Sequence, residues 1–306
     1  MLAKGTGRAQ RGKERPIRIG QAHRGRSGPF ATFWRSYARG KGAVAGAVFL
    51  GALILVTLFA TWVVPFDPLA TAPLEARQGP TARHWMGTDE YGRDILSRVI
   101  DGAHISLMIG FAAVLISVGF GSMLGLVAGY TENVVDSLIM RLIDILLAFP
   151  GILLALAIVA GLGTSLANVI LAVGIGTIPV YARVVRGTVL SAKREAYVDA
   201  ARVMGCSDLR LMLRHILPNI VAPVLVLATI GVAYSILNGA ALSFLGLGVQ
   251  PPEAEWGLMI SAGRADLRNA WWISTFPGLA LAATVLAINL VGDGLRDAFD
   301  PRARQR

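Results

Sequence analysis

Hydrophobic positions along this chain fall in long unbroken runs rather than in alternation. Six runs stand out, approximately Ala43 to Val64, Ile105 to Tyr130, Leu142 to Leu162, Ala167 to Val185, Ile220 to Asn238 and Ile273 to Gly292. Each is close to the roughly 20 apolar residues that carry a helix through about 30 Å of hydrocarbon. Lipid offers no water to an open backbone, so only helices or closed barrels span it, and these runs lack the period-two pattern of barrel strands. The pattern therefore predicts an all-α polytopic membrane protein with six transmembrane helices over residues 43–292. A tail at 1–42 and another at 293–306 flank this domain. Outer loops are expected at 65–104 and 248–272, and an inner loop at 187–219.

Charge orients the pattern. The first 42 residues hold eleven Lys and Arg against the single acid Glu14. By the positive-inside rule that end stays in the cytoplasm, and six crossings bring the C-terminus back there. On this topology 23 of the 29 Lys and Arg lie inside. The first run is too long, and its basic flank too extended, for a secretory signal. The tail Met1 to Pro29, poor in apolar residues, is expected to be disordered and attracted to anionic lipid.

Composition agrees and excludes alternatives. The chain is 54% hydrophobic and 16% charged, against about 25% charged in soluble domains. A net charge of +10 could signal nucleic acid, but the basic residues lack interleaved aromatics and any binding module, so no nucleic-acid partner is expected. Cys206 is the only cysteine, and the four histidines show no metal-ligand spacing. Neither a disulfide framework nor a metal site is expected.

Within the spans, Gly121, Gly125 and Gly129 share one helical face and invite close approach by another backbone. Trp62, Trp271 and Trp272 fall at outer boundaries, where interfacial anchoring is expected. Arg141 and Asp144 are spaced for a local pair at the inner end of the third run, with a gate or pathway role for Asp144 as the alternative. Asn238 and Gly239 interrupt the fifth run and suggest either a broken helix beside a pathway or a short outer interfacial helix. In the first outer loop, Asp89, Arg93 and Asp94 read either as a self-contained turn network or as a contact for an external protein.

The inner segment Gly187 to Asn219 is the most informative. Tyr197, Ala200, Ala201 and Met204 recur at helical spacing and suggest one apolar face, with Glu195 and Asp199 elsewhere. Gly205 suits a left-handed C-terminal cap and Ser207 the next N-cap. Leu209, Met212, Leu213 and Ile216 repeat the spacing until Pro218, where the pattern is expected to stop. Small residues at the centre of the first helix leave room for a partner surface.

Asp199-Ala200-Ala201, then three residues, Gly205, and later Leu217-Pro218 resemble the EAA loop of binding-protein-dependent ABC importer permeases. Asp199 stands where Glu is usual, and His215 where Ile is usual. Gly87-Thr88-Asp89-Glu90-Tyr91-Gly92-Arg93-Asp94, Ala148-Phe149-Pro150-Gly151, Leu242 to Pro252 and Gly292 to Pro301 are similar to the C-type permeases of the dipeptide/oligopeptide/nickel branch. The resemblance covers about residues 30 to 303. It implies the type I ABC importer permease fold, a homologous second permease, two ATPase subunits or domains and an external solute-binding protein. It also makes Glu195, Tyr197, Asp199, Ala200, Ala201, Met204, Gly205, Leu217 and Pro218 the ATPase-coupling residues. Ala270-Trp271-Trp272 followed by Thr275-Phe276-Pro277-Gly278 looks closest to dipeptide permeases, so a dipeptide is the expected cargo, with glutathione, oligopeptide or nickel complex as alternatives.

No phosphate-cradling G-x-x-x-x-G-K-[ST] occurs, so this chain is expected to bind no cofactor and to be non-catalytic, ATP and Mg lying on the partner ATPases. An ATP-independent carrier or channel is the rival of a different class. The spans show neither a filter-like carbonyl ring nor a relay of acids. An intramembrane protease on Asp144 and Asp293 is the enzymatic rival, and H-E-x-x-H is absent.

Overall fold

A computed structural model describes Trp34 and residues 36–299. Most of the basic tail and the last seven residues, including Asp300-Pro301, lie outside the described residues, so the disorder expected of Met1 to Pro29 is not addressed. Among the described residues the fold is helical, with one isolated bridge between Thr88 and Asp94. The helices are α1 (Lys41–Leu58), α2 (Ile95–Thr131), α3 (Val134–Leu147), α4 (Gly151–Leu162), α5 (Leu166–Ala192), α6 (Ala196–Val203), α7 (Leu217–Phe244), α8 (Trp256–Gly263) and α9 (Trp272–Phe299).

Five helices, α1, α2, α5, α7 with the turns preceding it, and α9, are long and apolar enough to cross a membrane; α3 and α4 form a pair bent by 88°. Packing shows that this pair also crosses. A Cβ placed at Gly121 would lie 2.6 Å from Tyr181 Cβ, at Gly125 2.5 Å from the Ala182 carbonyl, and at Gly129 2.8 Å from the Arg186 carbonyl. Numbers rise together on both helices, so α2 and α5 run parallel. The chain between them must therefore return to the opposite side. It does so along α5: Asp136 meets Arg186, Gly151 meets Gly176, and Ala155 and Val159 pack with Val169 and Val173. From Arg186 to Val169 is about 25 Å of helix, enough for most of the hydrocarbon core. The α1–α9 and α2–α7 pairs are antiparallel. Gly46 abuts Ala287 while Gly294 abuts Ala43, and Gly110 abuts Ile236 and Val232. Tyr37, Ala43 and Ala298 form one cluster, so both ends of the described chain lie on the same side of the bundle.

The bend sits at Ala148-Phe149-Pro150, because proline cannot donate its backbone nitrogen and disfavours helix in the residue before it. Proline does not break the other spans. Pro179, Pro223 and Pro277 lie inside α5, α7 and α9. Pro218, expected to stop a helix, instead follows a π-helical stretch at Leu211–Ile216 that carries the helix on into α7. Asn238 and Gly239 do not interrupt α7 either. Asn238 Nδ2 donates to the Tyr234 carbonyl at 2.8 Å, and Gly239 is small because Ile109 packs on it, 2.6 Å from where a Cβ would stand.

Outside the spans a compact cap forms. Helix α2 starts at Ile95, ten residues before the apolar run, because Asp94 caps it by accepting from the Ser97 amide at 2.8 Å. Glu255, fully buried, caps α8 by accepting from the Gly257 and Leu258 amides at 2.9 and 2.8 Å. Trp256 Nε1 donates to the Val99 carbonyl at 3.0 Å. Trp272 is not an interfacial anchor. It is buried, with Nε1 donating to the Thr88 carbonyl at 3.1 Å, whereas Trp62 and Trp271 are exposed.

Candidate functional site

The inner segment folds as two helical pieces joined at a glycine. Gly205 has φ +82°, its amide donates to the Arg202 carbonyl at 3.0 Å, and the Cys206 amide donates to the Ala201 carbonyl at 3.1 Å. This is the Schellman arrangement that ends α6. Ser207 holds N-cap backbone geometry, without a side-chain capping bond.

The face expected of Tyr197, Ala200, Ala201 and Met204 is divided. Val198 and Ala201 point inward and are fully buried against Val185, Val189, Leu211, Ile216, Ile220 and Tyr130. Tyr197 and Ala200 point outward with Val203, 88% exposed, and Met204, 77% exposed. Ala201 leaves the outward group because it lies one turn beyond Val198 on the core side. Leu209 and Leu213, which sequence spacing placed on a separate helix, extend the exposed apolar surface. The signal for Val203 was its place beside Met204 just before the cap, where an apolar residue gains nothing from water. Glu195 precedes α6 without a capping bond, and Asp199 faces Arg202 at 3.6 Å, exposed. Leu217 and Pro218 lie on the continuous helix leading into α7.

This surface is tied firmly to the spans. Lys193 Nζ donates to the Tyr130 carbonyl at 2.6 Å and to Glu132 at 2.7 Å, holding the Glu132 carboxyl below its ordinary range. The Tyr130 hydroxyl donates to Asp208. Asn219 Nδ2 donates to the Tyr197 hydroxyl at 3.0 Å. Through Val198 and Ala201, α6 thus bears on α2, α5 and α7 together.

Asp144 does not pair with Arg141, which is one turn away on its own helix. Its carboxylate meets Arg183 of α5, because α3 leans along α5 and presents Asp144 to that face. Arg186 binds Asp136 with two bonds of 2.6 Å nearby. Above the Asp144–Arg183 pair, at the bend between α3 and α4, a cavity of about 460 Å³ opens between α5 and α7, lined by Phe149, Pro150, Val180, Tyr181 and Tyr234 among others. Asn238 and Gly239 are not part of its lining.

Asp89, Arg93 and Asp94 form the self-contained network. Arg93 Nε donates to Asp89 at 2.6 Å, the Arg93 and Tyr91 amides donate to Asp89, and Asp94 meets His84 at 2.9 Å. All three are buried. Arg98, buried beside them, donates to the carbonyls of Pro68 at 2.9 Å and Glu253 at 3.2 Å, joining the two outer loops. Arg93→Ala is accordingly expected to lower thermal stability of the purified chain by about 1–3 kcal/mol, through loss of the side-chain bond to Asp89, which keeps only its backbone donors and Arg98 at 3.7 Å. Melting in detergent measures this, and an unchanged midpoint would speak against the network.

Comparison with known proteins covers nearly the whole chain. Residues 121–305 match the family described as the binding-protein-dependent transport system inner membrane component, and residues 28–80 match the N-terminal transmembrane domain of oligopeptide transport permease C. The chain is 48% identical over 282 residues to the di/tripeptide transport system permease protein DppC of Pseudomonas aeruginosa, covering 90% of this chain and 93% of that one. It is 49% identical over 277 residues to the glutathione transport system permease protein GsiD of Escherichia coli O157:H7 and of Shigella sonnei, covering 90% and 91%. A six-crossing helical bundle with this inner segment, matched along its length by these permeases, belongs to the binding-protein-dependent inner-membrane components of ABC importers, as a C-type permease of their peptide branch.

Proposed function

We propose that this chain carries short peptides, dipeptides foremost, into the cytoplasm as one of two permeases driven by separate ATPases that engage α6. The observation carrying the reading is the outward apolar face of Tyr197, Val203 and Met204 on a short helix whose other face is locked into the core. Apolar side chains displayed this way on an otherwise charged surface are anchors for a protein groove. The uneven distribution of Lys and Arg supports an inner location for this surface and for both termini.

ATP-driven closure of the ATPases moves α6 as a rigid element, and the packed cluster passes that motion to α2, α5 and α7. The proline bend between α3 and α4 is where the bundle yields, exposing the cavity alternately to the two sides. ATP and Mg act on the ATPase subunits. A solute-binding protein delivers the peptide to the outer cap.

Near-equal identity to a di/tripeptide permease and a glutathione permease supports a short-peptide class and makes glutathione the second reading. Trp272, part of the dipeptide-like stretch, is occupied in packing the outer cap, so selection between these cargoes is assigned to the solute-binding protein. Met204→Cys in the assembled complex should form a crosslink to an ATPase subunit with a short bifunctional reagent. Crosslinks found only within the permease pair would count against ATPase engagement by α6.

A further inference from the structure

The predicted spans contain two ionisable Asp, Glu, Lys or Arg residues beyond the inner edge at Leu142, Asp144 and Arg183, and the fold brings them together. Charges within a membrane are costly and face protein or water rather than lipid. This pair is open: Arg183 is 57% and Asp144 62% exposed. Both sit one helical turn from the cavity wall, Asp144 below Leu147 and Arg183 below Val180. The more enclosed pair Asp136–Arg186, nearer the helix ends, already ties α3 to α5.

The cavity's volume of about 460 Å³ falls in the range of small-molecule sites, about 300–1,000 Å³. Its walls are mostly apolar, with the hydroxyls of Thr177, Tyr181 and Tyr234 among them. An apolar chamber with a cation and an anion one helical turn below its wall matches one ligand chemistry, a short zwitterion with apolar side chains. We propose that this cavity is a transit site for peptides with free termini, in which Arg183 takes the peptide carboxylate and Asp144 its ammonium. The two residues hold each other when the site is empty and exchange partners when it fills. This assignment rests on the peptide-importer reading above.

The test uses the complete reconstituted complex with its binding protein, and alanyl-alanine, its N-acetyl form and its C-amide as probes. ATP-dependent uptake of alanyl-alanine by the wild-type complex is the control: its absence speaks against the importer reading itself. Given that uptake, Asp144→Asn should lower alanyl-alanine transport about tenfold while leaving transport of the N-acetyl form unchanged. Arg183→Gln should do the same for the C-amide. The binding protein is constant throughout, so each ratio of variant to wild type reports the permease. Equal losses for free and blocked peptides, or no loss, overturn the proposal and leave a structural pair. Should either variant fail to assemble, Val180→Trp fills the cavity and leaves the pair intact. Blocked uptake with retained assembly then supports the site, and undiminished uptake, as when a partner helix alone occupies the space, overturns it.

Discussion

Replacing Ala200 by Trp is expected to leave the complex assembled in the membrane and to abolish peptide uptake. Ala200 lies between Tyr197 and Met204 on the outward face of α6, exposed and without a core neighbour to disturb. The indole therefore projects into whatever receives the helix. Overfilling a packed interface costs about 1–3 kcal/mol, and coupling energies of that size change a population by roughly 5- to 150-fold. ATP hydrolysis measured beside uptake should show the motor turning with little response to binding protein and peptide. Ala201→Trp offers the contrast. Ala201 is buried against the Val198 cluster, so the same indole there should prevent folding of the segment and reduce the amount of complex recovered. Normal uptake in Ala200→Trp would mean that α6 does not seat in the ATPases.

Gly125→Leu should remove the folded protein altogether. At that position a side chain would meet the Ala182 carbonyl at 2.5 Å and Val185 Cβ at 2.8 Å. Neither backbone nor β-carbon can rotate away, so α2 and α5 must separate, which takes the cost to or beyond the upper end of the usual overpacking range, about 3 kcal/mol. Gly119→Leu is the matched control, because nothing beyond its own stretch of helix backbone lies within 4 Å of a Cβ there. Size-exclusion profiles in detergent should show aggregation for Gly125→Leu and an unchanged peak for Gly119→Leu. Equivalent behaviour of the two variants would contradict the parallel packing of α2 on α5.

That packing explains why much of the fold was legible. Apolar run length and the spacing of Gly121, Gly125 and Gly129 are one-dimensional signals, and both map directly onto helices and their contacts. The bend at Pro150 was not legible as a bend, since Pro179, Pro223 and Pro277 sit in continuous helices. What differs is whether neighbouring turns and side chains support the freed carbonyl, which is a tertiary property. Asn238 and Gly239 misled for the related reason that a small residue marks either a break or a close contact, and here Ile109 is the contact. Pairing of charges was the least legible. Arg141 lies at the right spacing for Asp144 on a helix, yet Arg183, thirty-nine residues away, takes the bond because α3 leans along α5. Only motif resemblance raised the inner segment above an ordinary hairpin. The split between buried Val198 and Ala201 and exposed Val203 and Met204 supplies a physical basis for that resemblance.

The most direct test of the account is to purify the tagged chain from its native membrane with whatever accompanies it, reconstitute the material in liposomes and measure uptake of a labelled dipeptide with and without ATP. The account predicts two ATPase subunits or domains and a homologous permease in the purified material, and uptake that requires both ATP and the binding protein. Recovery of this chain alone, transporting at the same rate without ATP, would contradict it.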